Sequence, residues 1–148
     1  MQKTVLIVDD SIYMRSVLKK YLEKAGYTIV GEAENAESAI DIALELKPTL
    51  ITLDIILPDM VGLDIIKVLK TENLLTKIIL ISIVEQSLVI KKGLELGANA
   101  YLMKPFDKDE LFESAKNLDP PIVSTLFFPF PKNQLSVLPD KSQAIIVI

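Results

Sequence analysis

Val5-Leu6-Ile7-Val8-Asp9-Asp10-Ser11 is the stretch on which the fold of this chain turns. Four apolar residues run without alternation and stop at two adjacent acids. A strand with one wet face alternates apolar and polar. An unbroken run suits a strand covered on both faces, as in a parallel sheet between two layers of helix. Leu50-Ile51-Thr52-Leu53, Ile78-Ile79-Leu80-Ile81 and Tyr101-Leu102-Met103 have the same character. Thr28-Ile29-Val30-Gly31-Glu32-Ala33 is more mixed, which places it at a sheet edge.

Longer segments of helical period lie between these runs. Met14, Val17, Leu18, Tyr21, Leu22 and Ala25 share one face, with Ser11 placed to cap the start and Gly26 the end. Ala36, Ala39, Ile40, Ala43 and Leu44 repeat the pattern, and Pro48 follows it. Residues 62–71, 86–96 and 108–117 read as three more helices. The apolar residues of Leu88–Leu96 fall on more than one face, which suits loose packing or a partner surface. Strand and helix alternating five times predict a doubly wound α/β fold around a parallel sheet.

Composition narrows the chemistry. The 148 residues suit one domain. The chain has no cysteine, which removes disulfides, thiolate metal sites and a cysteine nucleophile. It has no histidine, which removes the usual general base, the serine triad and most zinc chemistry. A net charge of −4 gives no overall basic footprint for nucleic acid. No apolar run approaches the roughly 18 residues of a membrane span. The N-terminal apolar run ends in acids rather than at a small-residue cleavage site, so a soluble, cytoplasmic protein is expected. Five of the eight prolines lie in residues 118–148, which carry two acids and two bases. That shift in composition sets a boundary between a domain at 1–117 and an apolar, proline-rich tail at 118–148.

Each apolar run ends in a residue of chemical interest: Asp9-Asp10, Asp54, Ser82 and Lys104-Pro105. In a parallel sheet these ends share one edge, and open α/β sheets bind ligands outside the carboxyl ends of their strands. Taken singly, each residue also has a structural reading. Asp9, Asp10 and Ser11 can cap a helix, Asp54 can sit in a turn, Ser82 can be a cap and Lys104 a solvated lysine. Taken together they form a consistent set. Clustered carboxylates without histidine or cysteine offer hard oxygens, which favours Mg²⁺. A lysine and a hydroxyl beside that ion suit a phosphoryl group. A carboxylate can itself accept phosphorus as an acyl phosphate, and Asp54, alone at its strand end, is the candidate. Asp9 and Asp10 look like metal holders.

VLIVDDS at 5–11, TLDIILPDMVGLD at 52–64, ILIS at 79–82 and GANAYLMKPF at 97–106 together resemble the receiver domain of two-component response regulators, over about residues 3–117. The resemblance implies a flavodoxin-like strand order 2-1-3-4-5. It implies Asp54 as phosphoacceptor and Asp9 and Asp10 as the acidic pair at Mg²⁺, with Asp10 the more direct ligand. Asp54 and the Ile56 backbone carbonyl would complete the protein ligands. Lys104 would bind phosphoryl oxygens, with a cis bond to Pro105 aiming it. Ser82 would be the switch hydroxyl and Tyr101 the switch aromatic, for which a plain core role is the alternative. The implied donor is a sensor histidine kinase or histidine phosphotransfer protein, and the output a downstream protein target rather than DNA. By this resemblance the chain is a signalling receiver that catalyses only its own phosphorylation and dephosphorylation.

Three features depart from the family pattern. Ile83 stands where a small residue is usual and could narrow access to the acceptor. Ile56 and Val84 are apolar where polar residues often guide a hydrolytic water, so a long-lived phosphoryl group is expected. The tail is too short for a DNA-binding domain. Its segments Leu126–Pro131 and Ala144–Ile148 are strongly apolar. The second reads as a β-strand that would be covered by its own sheet or by another chain's edge, unless the tail is a disordered or truncated remnant. A homodimer through the tail or residues 86–117 is one consequence. A phosphate-independent scaffold is the alternative function. A Mg²⁺-dependent phosphatase is another, although its common form wants an acid where Ile56 stands.

Overall fold

The computed structural model describes residues 2–116, 118 and 145–147. In chain order the elements are β1 (Thr4–Val8), α1 (Ile12–Lys24), β2 (Thr28–Ala33), α2 (Ala36–Leu46), β3 (Leu50–Leu53), α3 (Gly62–Thr71), β4 (Lys77–Ser82), α4 (Ser87–Leu96), β5 (Ala100–Met103), α5 (Lys108–Lys116) and β6 (Ile145–Val147). The strands form one sheet in the order β2-β1-β3-β4-β5-β6, parallel throughout. The first five strands take the expected order 2-1-3-4-5.

The sixth strand extends the five-stranded expectation. The apolar segment at 144–148 had two possible neighbours, and the described part, Ile145–Val147, pairs with this chain's own β5. The Leu126–Pro131 segment lies outside the described residues.

Unbroken apolar strands serve two cores at once, because successive side chains point to opposite faces. Val5 and Ile7 of β1 join Leu18 and Leu22 of α1 and Leu111 of α5 on one face. Leu6 and Val8 join Ala36, Ala39 and Ala43 of α2, Ile65, Ile66 and Leu69 of α3, and Ile90 and Leu94 of α4 on the other. Tyr101 packs on the second face, and its neighbours Ala100 and Leu102 on the first. Leu118 is buried in the first-face core, so that core extends one residue past the expected boundary at 117.

Three helices, α1, α2 and α5, begin where side chains accept from their first N–H groups. Ser11 Oγ accepts from the Met14 amide at 3.1 Å. Asn35 Oδ1 accepts from Ser38 at 2.9 Å. Asp107 and Glu110 cap α5 reciprocally, the Glu110 amide reaching Asp107 Oδ1 at 2.8 Å and the Asp107 amide reaching Glu110 Oε1 at 3.4 Å. Past the end of α1, Gly26 takes φ +92°, a conformation that side chains disfavour.

The two edges of the five-stranded core differ. β2 is mixed in polarity and partly exposed, and its register with β1 shifts between Val5 and Leu6. β5 reads Ala-Tyr-Leu-Met, and its first three residues are fully buried. Burial separates costly from harmless changes. Leu53 is fully buried and Leu75 is 92% exposed. In urea unfolding, Leu53→Ala lowers stability by about 2–5 kcal/mol, whereas Leu75→Ser stays within about 0.5 kcal/mol of the parent.

Candidate functional site

The parallel ladder continues one residue past several strands, and those extra bonds lock the backbone of the polar residues. Asp9 donates its amide to the Ala33 carbonyl at 3.0 Å, and Asp54 donates to Val8 at 3.0 Å. Lys104 donates to the Ser82 carbonyl at 2.9 Å. The strand ends therefore converge as expected.

Asp9 and Asp54 are buried, and Asp10 is exposed. One carboxylate oxygen from each lies within 4.8 Å of the others. The Lys104 ammonium reaches into this group, 2.7 Å from Asp9 Oδ2 and 2.8 Å from Asp54 Oδ2. Burial alone would depress the Lys104 pKa. The hydrogen bonds and charges of Asp54 and Asp9 outweigh that cost and hold it above its ordinary value. Three carboxylates face one ammonium, so the site keeps an excess of negative charge. Like charges about 4 Å apart repel by roughly 4 kcal/mol near a protein surface.

This donor set fits a hard divalent cation. The oxygens are already gathered, no histidine or cysteine competes, and Asp10 leaves one side open to solvent. Mg²⁺ takes hard oxygen ligands of this kind and usually keeps several waters.

Both Asp54 oxygens are engaged. Oδ2 meets Lys104, and Oδ1 accepts from the Ile56 amide at 3.0 Å. Ile56 thus contacts the site through its backbone N–H, while its side chain is exposed. The Lys104–Pro105 peptide is cis. Ser82 is fully buried, and its hydroxyl lies 3.5 Å from the Val84 amide. Tyr101 is also fully buried. Its hydroxyl donates to the Val84 carbonyl and lies 3.5 Å from the Ser82 carbonyl. Burial pushes its phenol well above the usual value; a hydrogen bond with Ser82 opposes this, and the charges of Asp54 and Glu85 add to it. Ile83 is 63% exposed.

Three supporting residues escaped the sequence reading. Arg15 donates from Nη1 to the Asp9 carbonyl at 2.5 Å and pairs through Nε with Glu32 at 3.3 Å. Asp59, in the loop after Asp54, accepts from the Ala36 amide at 2.8 Å and the Glu37 amide at 3.1 Å. With Asn35 on Ser38, the first three amides of α2 are satisfied, two of them by the loop after Asp54. Gly62 closes that loop by donating to the Ile55 carbonyl at 2.6 Å. A Cβ there would sit 2.2 Å from the Asp54 carbonyl oxygen. Nothing in linear order pairs Asp59 with α2, and Arg15 reads as one more polar residue on a helix.

Residues 5–116 match the family described as the response regulator receiver domain. The chain is 40% identical to chemotaxis protein CheY of Thermotoga maritima over 114 residues, 77% of this chain and 95% of that protein. It is 33% identical to CheY of Halobacterium salinarum over 80% of this chain and 98% of that one. Among solved structures, a CheY-like receiver from Methanospirillum hungatei superposes with TM-score 0.73 at 29% identity, covering 79% of this chain and 93% of that one. CheY of Borrelia burgdorferi, solved with CheX, BeF₃ and Mg²⁺, superposes with TM-score 0.74 at 25% identity, covering 78% and 88%.

The Asp59 clamp has a pH signature. The Ala36 hydrogen bond, aided by that from Glu37, holds the Asp59 carboxyl below its ordinary pKa against a smaller opposing effect of burial. A depressed folded pKa gives stability that is present above the unfolded value, near 3.9, and is lost as pH falls through the folded one. Asp59→Asn therefore lowers the thermal midpoint at neutral pH, and the gap from the parent closes on acidification below about pH 4.

Proposed function

Because the chain belongs to the family of response regulator receiver domains, we propose that it accepts a phosphoryl group on Asp54 and switches a protein-binding surface in response. Receiver domains work with histidine kinases and downstream targets in two-component signalling. The observation that carries this reading is the Lys104 ammonium held between Asp9 and Asp54, beside a third carboxylate.

Asp9, Asp10 and Asp54 would hold Mg²⁺, with the Ile56 carbonyl as a further ligand. The ion would supply positive charge for the phosphoryl oxygens and relieve the repulsion among the acids. An Asp54 oxygen attacks phosphorus in line, the bond from phosphorus to the donor nitrogen breaks, and the electron pair leaves on that nitrogen. The donor is a histidine of a sensor kinase or phosphotransfer protein. Lys104 exchanges an Asp54 oxygen for a phosphoryl oxygen and keeps its positive charge throughout. Ser82 offers its hydroxyl to the same group. Val84 accepts from Tyr101 while its amide faces Ser82, so movement at Ser82 reaches a buried aromatic on β5.

The output surface on this reading is residues 86–117, where α4 exposes Leu88. The output is protein contact, without direct DNA binding, and the domain at 1–117 carries the function. No helix among the described residues is long and apolar enough to cross a membrane, and a cytoplasmic location fits this role.

Incubation with Mg²⁺ and a small acyl phosphate, followed by intact mass measurement, tests the assignment. The parent gains one phosphoryl group, and the gain requires Mg²⁺. Asp54→Asn gains none. A gain retained by that variant overturns Asp54 as acceptor.

The side chains of Ile56 and Ile83 are exposed apolar groups, and Val84 is half-buried. Apolar residues at 56 and 84 give a hydrolytic water no hydrogen-bonding partner. The phosphorylated parent therefore loses phosphate more slowly than the Ile56→Asn, Val84→Glu double variant. Equal decay, followed by mass over time, removes the idea.

A further inference from the structure

We infer that the outer edge of β5 is a strand-accepting surface whose resident occupant is this chain's own Ile145–Val147, and that this occupant is displaceable. The inference goes beyond the phosphoryl reading, and its placement does not depend on phosphoryl transfer.

The first observation is the asymmetry of the sheet edges. β2 protects itself with polar residues, partial exposure and an irregular register. β5 has none of these devices. Its Ala-Tyr-Leu-Met sequence is that of an inner strand, and with β6 in place Ala100, Tyr101 and Leu102 are completely buried. An apolar edge left open would present unpaired backbone groups to any other strand.

The second observation is what sits there. β6 pairs parallel with β5, aligning Ala100 with Ile145, Tyr101 with Ile146 and Leu102 with Val147. It also lies against α5. Parallel neighbours need a connection of about a dozen residues or more. The interval from Lys116 to Ile145 exceeds that, so one chain can supply both strands.

The third observation is length. Among the described residues β6 is three residues long, the shortest strand, against four for β3 and β5. A strand so short has few ladder bonds to set against its ordering entropy, so it exchanges readily with competitors. The fitting competitor is an extended, uncharged, β-branched segment of a partner protein, adding in parallel to β5. The register also places β6 opposite Tyr101, whose hydroxyl is tied to Val84 beyond Ser82.

The absence of native cysteine makes a crosslinking test unambiguous. Neighbouring strands lie about 4.7–4.9 Å apart, within the Cα separation that disulfides span. Ala100→Cys with Ile145→Cys is expected to oxidise to an intramolecular disulfide. Ala100→Cys with Val147→Cys, out of register, is expected to oxidise more slowly. A crosslink formed only between two molecules shows that a second copy is the occupant and overturns the assignment. No crosslink, or equal rates for the two pairs, overturns the register.

Amide exchange then tests displacement. In the full chain, β5 amides facing the edge should exchange faster than those of β1, and in the crosslinked form they should slow to the β1 level. Ile146→Pro with Val147→Pro, which removes a ladder donor whichever of the two amides faces β5, should speed the same amides with β1 unchanged. Identical β5 exchange in the full and crosslinked chains shows a permanent strand and overturns displaceability. Identical exchange in the parent and the double proline variant overturns the covering role.

Discussion

Two buried carboxylates and a third beside them cannot stay together unless something holds the backbone against their repulsion. Here the parallel ladder does so. Asp54 is bonded through its amide to the strand carrying Asp9, and Asp9 to the end of β2. The acids stand where strand register puts them, and that register is set by the upstream side chains of β1 and β3 that fill both cores. Moving Asp54 away from Asp9 would require slipping β3 against β1, which would turn every buried side chain of β3 to the wrong face. The hydrophobic cores thus supply the force that keeps like charges close.

Lys104 completes the balance from the far side of the sheet. It arrives on β5, two strands from β3, and its own amide is fixed to β4. A single ammonium spanning Asp9 and Asp54 links β1, β3 and β5 across the carboxyl edge. A lysine suits this task better than an arginine. Its compact charge on a flexible stem can leave one oxygen for another without losing a bidentate geometry. The loop after Asp54 adds a further tie. Its Asp59 carboxylate seats the start of α2, which ties that loop to the neighbouring helix.

The elements easiest to read in the sequence are those governed by local pattern. Leu50–Leu53 and Gly62–Thr71 fall within the residues that periodicity marks, and the other helices differ from their expected spans by only a few residues. The convergence of Asp9, Asp54 and Lys104 was legible because a parallel sheet leaves strand ends little choice of edge. The roles of Arg15 and Asp59 at the site were not legible, because there they bond a carbonyl and two amides, which carry no residue identity. β6 was half legible. Its β-branched run announces a strand, but a strand's own residues do not say which edge it will join.

The geometry around Ser82 shows how a local change could travel. Lys104 hangs from the Ser82 carbonyl by its amide, while the Ser82 hydroxyl faces the amide of Val84. The Val84 carbonyl in turn holds the Tyr101 hydroxyl. The short 82–84 segment thus holds both the Lys104 amide and the Tyr101 hydroxyl, from within and just beyond β5. If a phosphoryl group drew both the lysine and the serine hydroxyl, the 82–84 segment would shift with them. Tyr101 would then lose or keep its acceptor as a unit with that segment. Its ring is fully buried, so it has no intermediate position to relax into, and close packing favours two discrete arrangements over a gradual one. The tyrosine also lies on the strand that carries β6 along its outer edge. A change at Asp54 therefore has a short covalent and hydrogen-bonded route to the one part of the sheet that a three-residue strand covers.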